Sequence, residues 1–278
     1  MTTLRALLRR RGVAFAVLFL AVVAGAAACA DLLPLDPFRQ RIARALQPPS
    51  VSNWFGTDEL GRDIMARVVY GARTSLVTAA GAVAIASAVG VPIGLVGGFF
   101  GGWRDAALMR LVDVLLALPA ILFATAMIAV LGRSPAAALV AVGVTGIPGF
   151  ARVTRAQVLT LRGRDFVTAV EAFGASTSYN MFRTILPNSW SPILVQTVVL
   201  SSLAILLEAA LAFLGVGVSP PTPSWGEMLR TGKNYLYEAP YYAVLPGVVL
   251  TLTILSFDTI GRALASVLAN RQETGGVR

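Results

Sequence analysis

Histidine is absent from this 278-residue chain, and Cys29 is its single cysteine. Without histidine, Ser-His-Asp and Cys-His catalysis, His-ligated zinc and imidazole proton relays are excluded together. With one cysteine, no intrachain disulfide can form. Charge is scarce as well: 13% of the residues are Asp, Glu, Lys or Arg, against about 25% in soluble domains. Acidic residues are the scarcer kind, 14 against 23 basic, giving a formal net charge of +9. A phosphate-binding loop needs Gly, four residues, then Gly-Lys-Ser/Thr. The nearest approach, Gly232-Lys233-Asn234, has neither the spacing nor the hydroxyl. The chain is therefore expected neither to bind nor to hydrolyse ATP alone. No nucleophile–base pair is recognisable, so no catalytic residue is assigned.

What is abundant is apolar surface. Hydrophobic residues make up 56% of the chain, and the mean hydropathy is +0.73. One water-soluble core of this size cannot hide that surface, so a lipid bilayer has to act as part of the solvent. A spanning helix needs about 20 apolar residues. Six runs qualify, at about 13–33, 74–100, 111–132, 135–151, 193–217 and 243–268. The fourth is short and interrupted by Gly146, Pro148 and Gly149. Polar stretches at 34–72 and 152–190 separate them. The fold class is an all-α, multi-pass integral membrane protein with about six transmembrane helices. Its expected divisions are an N-terminal anchor helix plus extracytoplasmic segment (1–72), a core domain (73–270) and a cytoplasmic tail (271–278). Arg9, Arg10 and Arg11 precede the first run, and Ala28-Cys29-Ala30 resembles a signal-peptidase site. With the rest of the chain membrane-embedded, the first run reads as an uncleaved anchor.

The basic residues lie mostly between the apolar runs, where topology-setting charges belong, and not in a nucleic-acid patch. Arg104, Arg110, Arg152, Arg155, Arg162, Arg164, Arg183 and Arg262 share one side if both termini are cytoplasmic. That orientation is the expected one.

The segment 152–190 is the most informative. Residues 165–173 suit a short helix of about 14 Å. Phe166, Ala169, Val170 and Phe173 then share one face. Gly174 can end that helix in a left-handed conformation. A second short helix is expected to end at Pro187. An apolar face hinged at a glycine is thereby offered to a partner on the cytoplasmic side.

The segment from Asp165 to Asn188 resembles the cytoplasmic loop of permease subunits in binding-protein-dependent ABC importers. Their pattern is Glu-Ala-Ala, three residues, Gly, nine residues, then a hydrophobic residue near Leu-Pro. Gly174 and Leu186-Pro187 match in spacing, with Ala175 beside the glycine. Thr168-Ala169-Val170 stands in the Glu-Ala-Ala place, so the family's glutamate is missing, and Glu171 comes three residues late. Two further stretches resemble the oligopeptide/dipeptide/nickel branch. One is Phe55-Gly56-Thr57-Asp58-Glu59-Leu60-Gly61-Arg62-Asp63; the other is Phe213-Leu214-Gly215-Val216-Gly217 with Pro220-Pro221-Thr222-Pro223-Ser224-Trp225-Gly226. The likeness runs from about 54 to 268, and within the branch it is to the C-type permease of a pair.

The resemblance implies the type I permease fold of an ABC importer in a bacterial inner membrane. It implies a second homologous permease, two cytoplasmic ATPase subunits that bind ATP and Mg, and an extracytoplasmic binding protein. It also implies peptide cargo, with nickel chelates or other small solutes as the alternative. The chain itself needs no cofactor, and a self-contained secondary transporter is the competing class. Such a transporter needs ion-coupling residues deep in several spans, and only Glu208 qualifies clearly.

Glu208 lies in the run Leu206-Leu207-Glu208-Ala209-Ala210 and cannot sensibly face lipid. It either lines the translocation path or makes a polar contact between helices. Asp58, Glu59, Arg62 and Asp63 form a dense cluster at the outer edge that can close on itself as a cap to the second span. A calcium loop is not present there, and no metal is assigned. Gly90, Gly94 and Gly98, spaced by four, allow close helix approach within the chain or against a second subunit. Trp225, Tyr235, Tyr237, Tyr241 and Tyr242 are expected at the outer membrane interface or against a docking protein.

Overall fold

A computed structural model describes residues 10–275, with side chains to residue 268. Arg9, Arg278 and the end of the tail lie outside the described residues. Helix dominates, and among the described residues the one β-type pairing is an isolated bridge between Thr57 and Asp63. Helix α1 spans Arg11–Ala28, α2 Ile64–Phe100, α3 Gly102–Leu116, α4 Ala120–Leu131 and α5 Pro135–Arg162. Then come α6 (Asp165–Ala172), α7 (Trp190–Phe213), α8 (Trp225–Gly232) and α9 (Tyr241–Gly275). Five of these, α1, α2, α5, α7 and α9, are long and apolar enough to cross a membrane, and α3 with α4 makes a sixth if that bent pair counts as one span.

The third span departs from the sequence expectation. The run 111–132 is not one straight helix: α3 and α4 meet at 86°. Pro119 is the cause, because the residue before a proline is pushed out of the helical region and Pro119 itself caps α4 in an extended conformation. An apolar count cannot see that bend.

The other corrections concern where helices begin and end. Helix α2 starts at Ile64, ten residues before the apolar run, because the Asp63 carboxylate caps it, accepting from Ala66 N at 2.8 Å. The division at 72/73 therefore falls inside a helix. At 37 residues, α2 is about 55 Å long and overreaches the bilayer core of about 30 Å. Its first turns stand in the outer polar layer. Helix α5 is not broken at Gly146, Pro148 and Gly149 but runs on to Arg162, so residues 152–162 belong to a span and not to the polar loop.

Those glycines serve packing. A Cβ at Gly146 would sit 2.6 Å from Leu200 Cδ2, and one at Gly90 would sit 2.6 Å from Ile147 O. Gly94 faces Ala151 and Arg155, and Gly98 faces Val158. The stripe Gly90, Gly94 and Gly98 is thus a seam inside the chain, between α2 and α5, the most extensively packed helix pair. Around it, α7 packs on α2, α5 and α9, while α1 packs on α9 and α2. Arg10 donates to Ser266 at 3.3 Å, which sets the start of α1 beside the end of α9. The face holding these ends, α6 and the α2–α3 turn is called inner below; the face holding residues 30–63 and α8 is called outer.

Candidate functional site: an open inner face and a closed outer cluster

On the inner face, α6 follows α5 after a two-residue break. Val167 is its anchor, fully buried among Leu95, Val158, Met181 and Ile185. An i, i+3, i+4, i+7 pattern does not mark Val167, which is apolar but lies off the face shared by Phe166, Ala169, Val170 and Phe173. Of those four, Phe166, Ala169 and Phe173 are exposed, and Val170 is half-buried. Phe173 is 92% exposed. Asp165 heads the helix, where a carboxylate favours the helix dipole. The Thr168 hydroxyl points outward, its only partner Arg164 O at 3.5 Å.

Gly174 has φ +82°. Its N–H bonds Glu171 O at 2.9 Å, and Ala175 N–H bonds Val170 O at 3.3 Å. That pair of bonds is the glycine-ended Schellman stop. Glu171 is tied back across the hinge, accepting from Asn180 Nδ2 at 2.9 Å. A helical stretch resumes at Thr177, capped by Ser176, and widens into a π-turn over Asn180–Ile185.

The second short helix does not end at Pro187. The wide turn leaves room for the proline ring, the backbone stays helical through Leu186–Asn188, and α7 begins at Trp190 after Ser189. The hinge is therefore coupled to a spanning helix by almost continuous helical backbone. Leu186 is half-buried and Pro187 exposed.

Next to this segment, the inner ends of the spans are laced by ion pairs. Arg155 holds Asp105 through two hydrogen bonds of 2.6 Å each. Arg152 bonds Asp113 at 2.8 Å, and Arg262 bonds Asp258 at 2.8 Å. The last pair follows from its i, i+4 spacing; the others join α5 to α3 and leave no local trace in the sequence.

On the outer face, the motif 55–63 folds into a tight turn with Gly56 and Gly61 both at positive φ. Asp58 is fully buried and accepts from Leu60 N and Arg62 N, both at 2.9 Å, and from Arg62 Nε at 2.5 Å. Burial pushes the Asp58 carboxyl above its ordinary value, the Glu59 charge adds to that, and the bonds from Arg62 oppose it. Arg62 Nη2 also reaches Glu59 at 2.9 Å, and Glu59 in turn accepts from Tyr242 Oη at 2.6 Å. Thr57 and Asp63 tie the turn to its neighbours: Thr57 accepts from Gln47 N at 2.9 Å, and Asp63 accepts from Asn53 Nδ2 at 2.6 Å.

Arg67, which the sequence reading passed over, is the centre of this cluster. It is 1% exposed. Its guanidinium donates to Glu227 Oε2 at 3.0 Å and to Pro37 O at 3.4 Å, and its Nε lies 3.5 Å from Asp58. Glu227 had a signal: Ser224-Trp225-Gly226-Glu227 has the Ser-x-x-Glu form of a helix start. Ser224 Oγ does accept from Glu227 N at 3.2 Å, but the Glu227 carboxylate turns to Arg67 instead of completing the box. Trp225 and Tyr242 are fully buried inside the fold, whereas Tyr237 is exposed. The Trp225 ring donates to Val68 O at 3.0 Å. The charged residues thus close on one another, joining residues 37–63, α2, α8 and α9 in one network.

Glu208 sits 1% exposed between α7 and α2, accepting from Ser75 Oγ at 2.8 Å. That contact makes it a polar link between helices. It lines neither apolar cavity along α7. Among the described residues, no group of three Asp, Glu or Cys side chains is arranged to hold a metal ion.

Comparisons with known proteins agree with one another. A profile described as "Binding-protein-dependent transport system inner membrane component" matches residues 90–273. The chain is 43% identical over 223 residues to a dipeptide transport system permease protein DppC of Alkalihalophilus pseudofirmus, covering 80% of this chain and 73% of that protein. It is 40% identical over 244 residues to a di/tripeptide transport system permease protein DppC of Pseudomonas aeruginosa, covering 84% and 80%. It is 42% identical over 220 residues to a glutathione transport system permease protein GsiD of Escherichia coli, covering 79% and 73%. A solved structure of the MetNI methionine ABC transporter in an inward-facing conformation aligns with TM-score 0.57 at 18% identity, over 72% of this chain and 97% of that one. At that identity the likeness shows the shared fold.

Proposed function

The chain belongs to the family of binding-protein-dependent transport system inner membrane components, and from that premise we propose that it conducts small peptides handed over by an extracytoplasmic binding protein. It is a multi-pass, non-catalytic permease subunit of an ABC importer in the bacterial inner membrane. In the proposed complex a second, homologous permease lines the other half of the path. Two cytoplasmic ATPase subunits bind ATP and Mg and supply the energy.

The observation that carries the coupling role is the face of α6. Phe166, Ala169 and Phe173 are exposed on the inner side, beyond a glycine hinge that runs almost unbroken into α7. A hydrophobic face of this size on water-exposed helix fits a partner groove. The residues proposed to take the ATPase stroke are Asp165, Phe166, Thr168, Ala169, Val170, Glu171, Gly174, Ala175, Leu186 and Pro187. Gly56, Thr57, Asp58, Gly61, Arg62 and Asp63 shape the outer face.

Dipeptide cargo rests on the DppC relatives. Glutathione is the second reading, favoured by the GsiD relatives at 42% identity. The deciding experiment reconstitutes both permeases, both ATPases and the binding protein in vesicles and measures ATP-dependent uptake. Uptake of di- and tripeptides in preference to glutathione, lost when the ATPases are omitted, is the expected result. ATP-independent uptake by this chain alone would overturn the proposal.

A further inference from the structure

At the outer end of α7, between that helix and α8, lies a small cavity of about 100 Å³. Its walls include Arg133, Gly215, Gly217, Ser219, Glu227 and Arg230. Arg133 stands in the short turn between α4 and α5, and Arg230 in the last turn of α8. Neither guanidinium is paired with a carboxylate among the described residues. The one carboxylate in the wall, Glu227, is already engaged by Arg67 and by Thr231 Oγ1, each at 3.0 Å. Nearby, Lys233 rests over the Phe213 ring at 4.9 Å, also without an acidic partner among the described residues. The cavity therefore has two arginines without a carboxylate partner in its wall. Concave sites walled by low-dielectric protein focus such charge.

Two larger cavities lie along the same helix, and neither shares a lining residue with the small one. One of about 310 Å³ includes Leu206, Phe213, Leu214 and Leu229 in its lining. One of about 400 Å³ is lined by Val142, Leu200 and Leu203 among others. Both touch Ile121, Leu206 and Ala210, so they form one furrow along α7. The furrow is apolar, and the separate small cavity is the cationic one. An anionic group suits the small cavity.

We propose that Arg133 and Arg230 form a carboxylate-accepting site at the outer end of α7, which receives the free carboxyl end of the cargo. Arginine suits this role, because its planar fork meets a carboxylate through two parallel hydrogen bonds. The feature recognised is the one that every free peptide shares, so the site orients cargo without reading its sequence. The proposal rests on the peptide-importer reading above. A carboxylate on the delivering protein has the same chemistry, and the test separates the two sources.

The complete importer is reconstituted with its loaded binding protein, and Arg133→Gln, Arg230→Gln and Arg230→Lys are compared with the unaltered complex. Arg133 is exposed, so its variant tests the site without disturbing a buried group. Each Gln variant is expected to lower peptide uptake per ATP hydrolysed by about tenfold or more, the loss of a charged hydrogen bond. Affinity of the binding protein for the complex stays unchanged, and Arg230→Lys keeps most of the uptake. Uptake unchanged in both Gln variants overturns the proposal. So does a parallel loss of binding-protein affinity, which assigns the carboxylate to the delivering protein, or a Lys variant as defective as Gln. Failure of the unaltered importer to take up any peptide strikes the cargo reading instead.

Discussion

The two faces of this molecule treat polar and apolar groups in opposite ways. At the outer face, Asp58, Arg62, Arg67 and Glu227 are buried and paired with one another, with Arg67 joining segments 160 residues apart. At the inner face, α6 is held by one buried side chain, Val167, while Phe166 and Phe173 stand in the open. A network that satisfies itself needs nothing further and holds its parts in register. An apolar face left unsatisfied is complete only when something covers it. The outer cluster is therefore expected to govern whether the protein assembles, and the inner segment whether an assembled protein works.

The largest effect is expected where the outer network is broken at its centre. Arg67→Ala leaves Glu227 buried without its cation, and removing one partner of a buried pair costs about 3–5 kcal/mol. The yield and thermal midpoint of the purified complex are expected to fall sharply. A complex of normal yield and midpoint would show that the cluster does not hold the outer face together.

The inner hinge comes next, and there the loss is expected in activity with stability spared. Gly174→Val forces a β-branched residue into positive φ, costing about 1–2 kcal/mol locally. No atom lies within 4 Å of the added Cβ, so strain in the turn is the only penalty. The variant is expected to insert normally, and the importer that contains it to hydrolyse ATP without moving cargo. Full uptake by this variant would remove the hinge from the mechanism.

A third effect, smaller again, concerns a polar link that belongs to neither face. Glu208→Gln keeps an acceptor for Ser75 at the α7–α2 contact. A drop of about 1 kcal/mol or less in complex stability is expected, the scale of one perturbed hydrogen bond. Uptake of free and N-blocked peptides should change equally. Selective loss of the free peptide would return Glu208 to the path.

The contrast between the faces also explains what the sequence could reveal. The α6 helix and its Gly174 stop were legible because they are local: an i, i+3, i+4, i+7 pattern followed by a glycine. Asp58, Glu59, Arg62 and Asp63 were legible as a cluster for the same reason. Arg67 was not, because its main partner, Glu227, lies across the fold, and adjacency in the chain says nothing of it. The bend at Pro119 and the continuity of α5 through Pro148 show the same limit. A proline ends a helix in one place and is packed into one in another, and the difference lies in the neighbouring helices. Arg133 and Arg230 are separated by 97 positions, and only the fold brings them to one cavity.

The smallest effect sharpens the comparison from the inner side. Thr168 stands where the family pattern has glutamate, and its side chain is exposed. Its hydroxyl makes a single contact at the edge of hydrogen-bonding distance. Thr168→Glu therefore breaks no packing and leaves no buried group unpaired. The new carboxylate falls within the first turns of α6, near Arg164, where the helix dipole favours negative charge by a few tenths of a kcal/mol. Glutamate also has a slightly better helix propensity than threonine. Complex stability is expected to stay within about 0.5 kcal/mol of the unaltered protein, as for most exposed substitutions. Uptake should match it if the partner ATPase still accepts a carboxylate at that place. A gain in ATPase affinity would show that the partner keeps a basic site facing position 168. Loss of uptake with an intact complex would show that the partner surface has been remodelled around threonine, and that the interface is closer-fitting than the open face of α6 suggests.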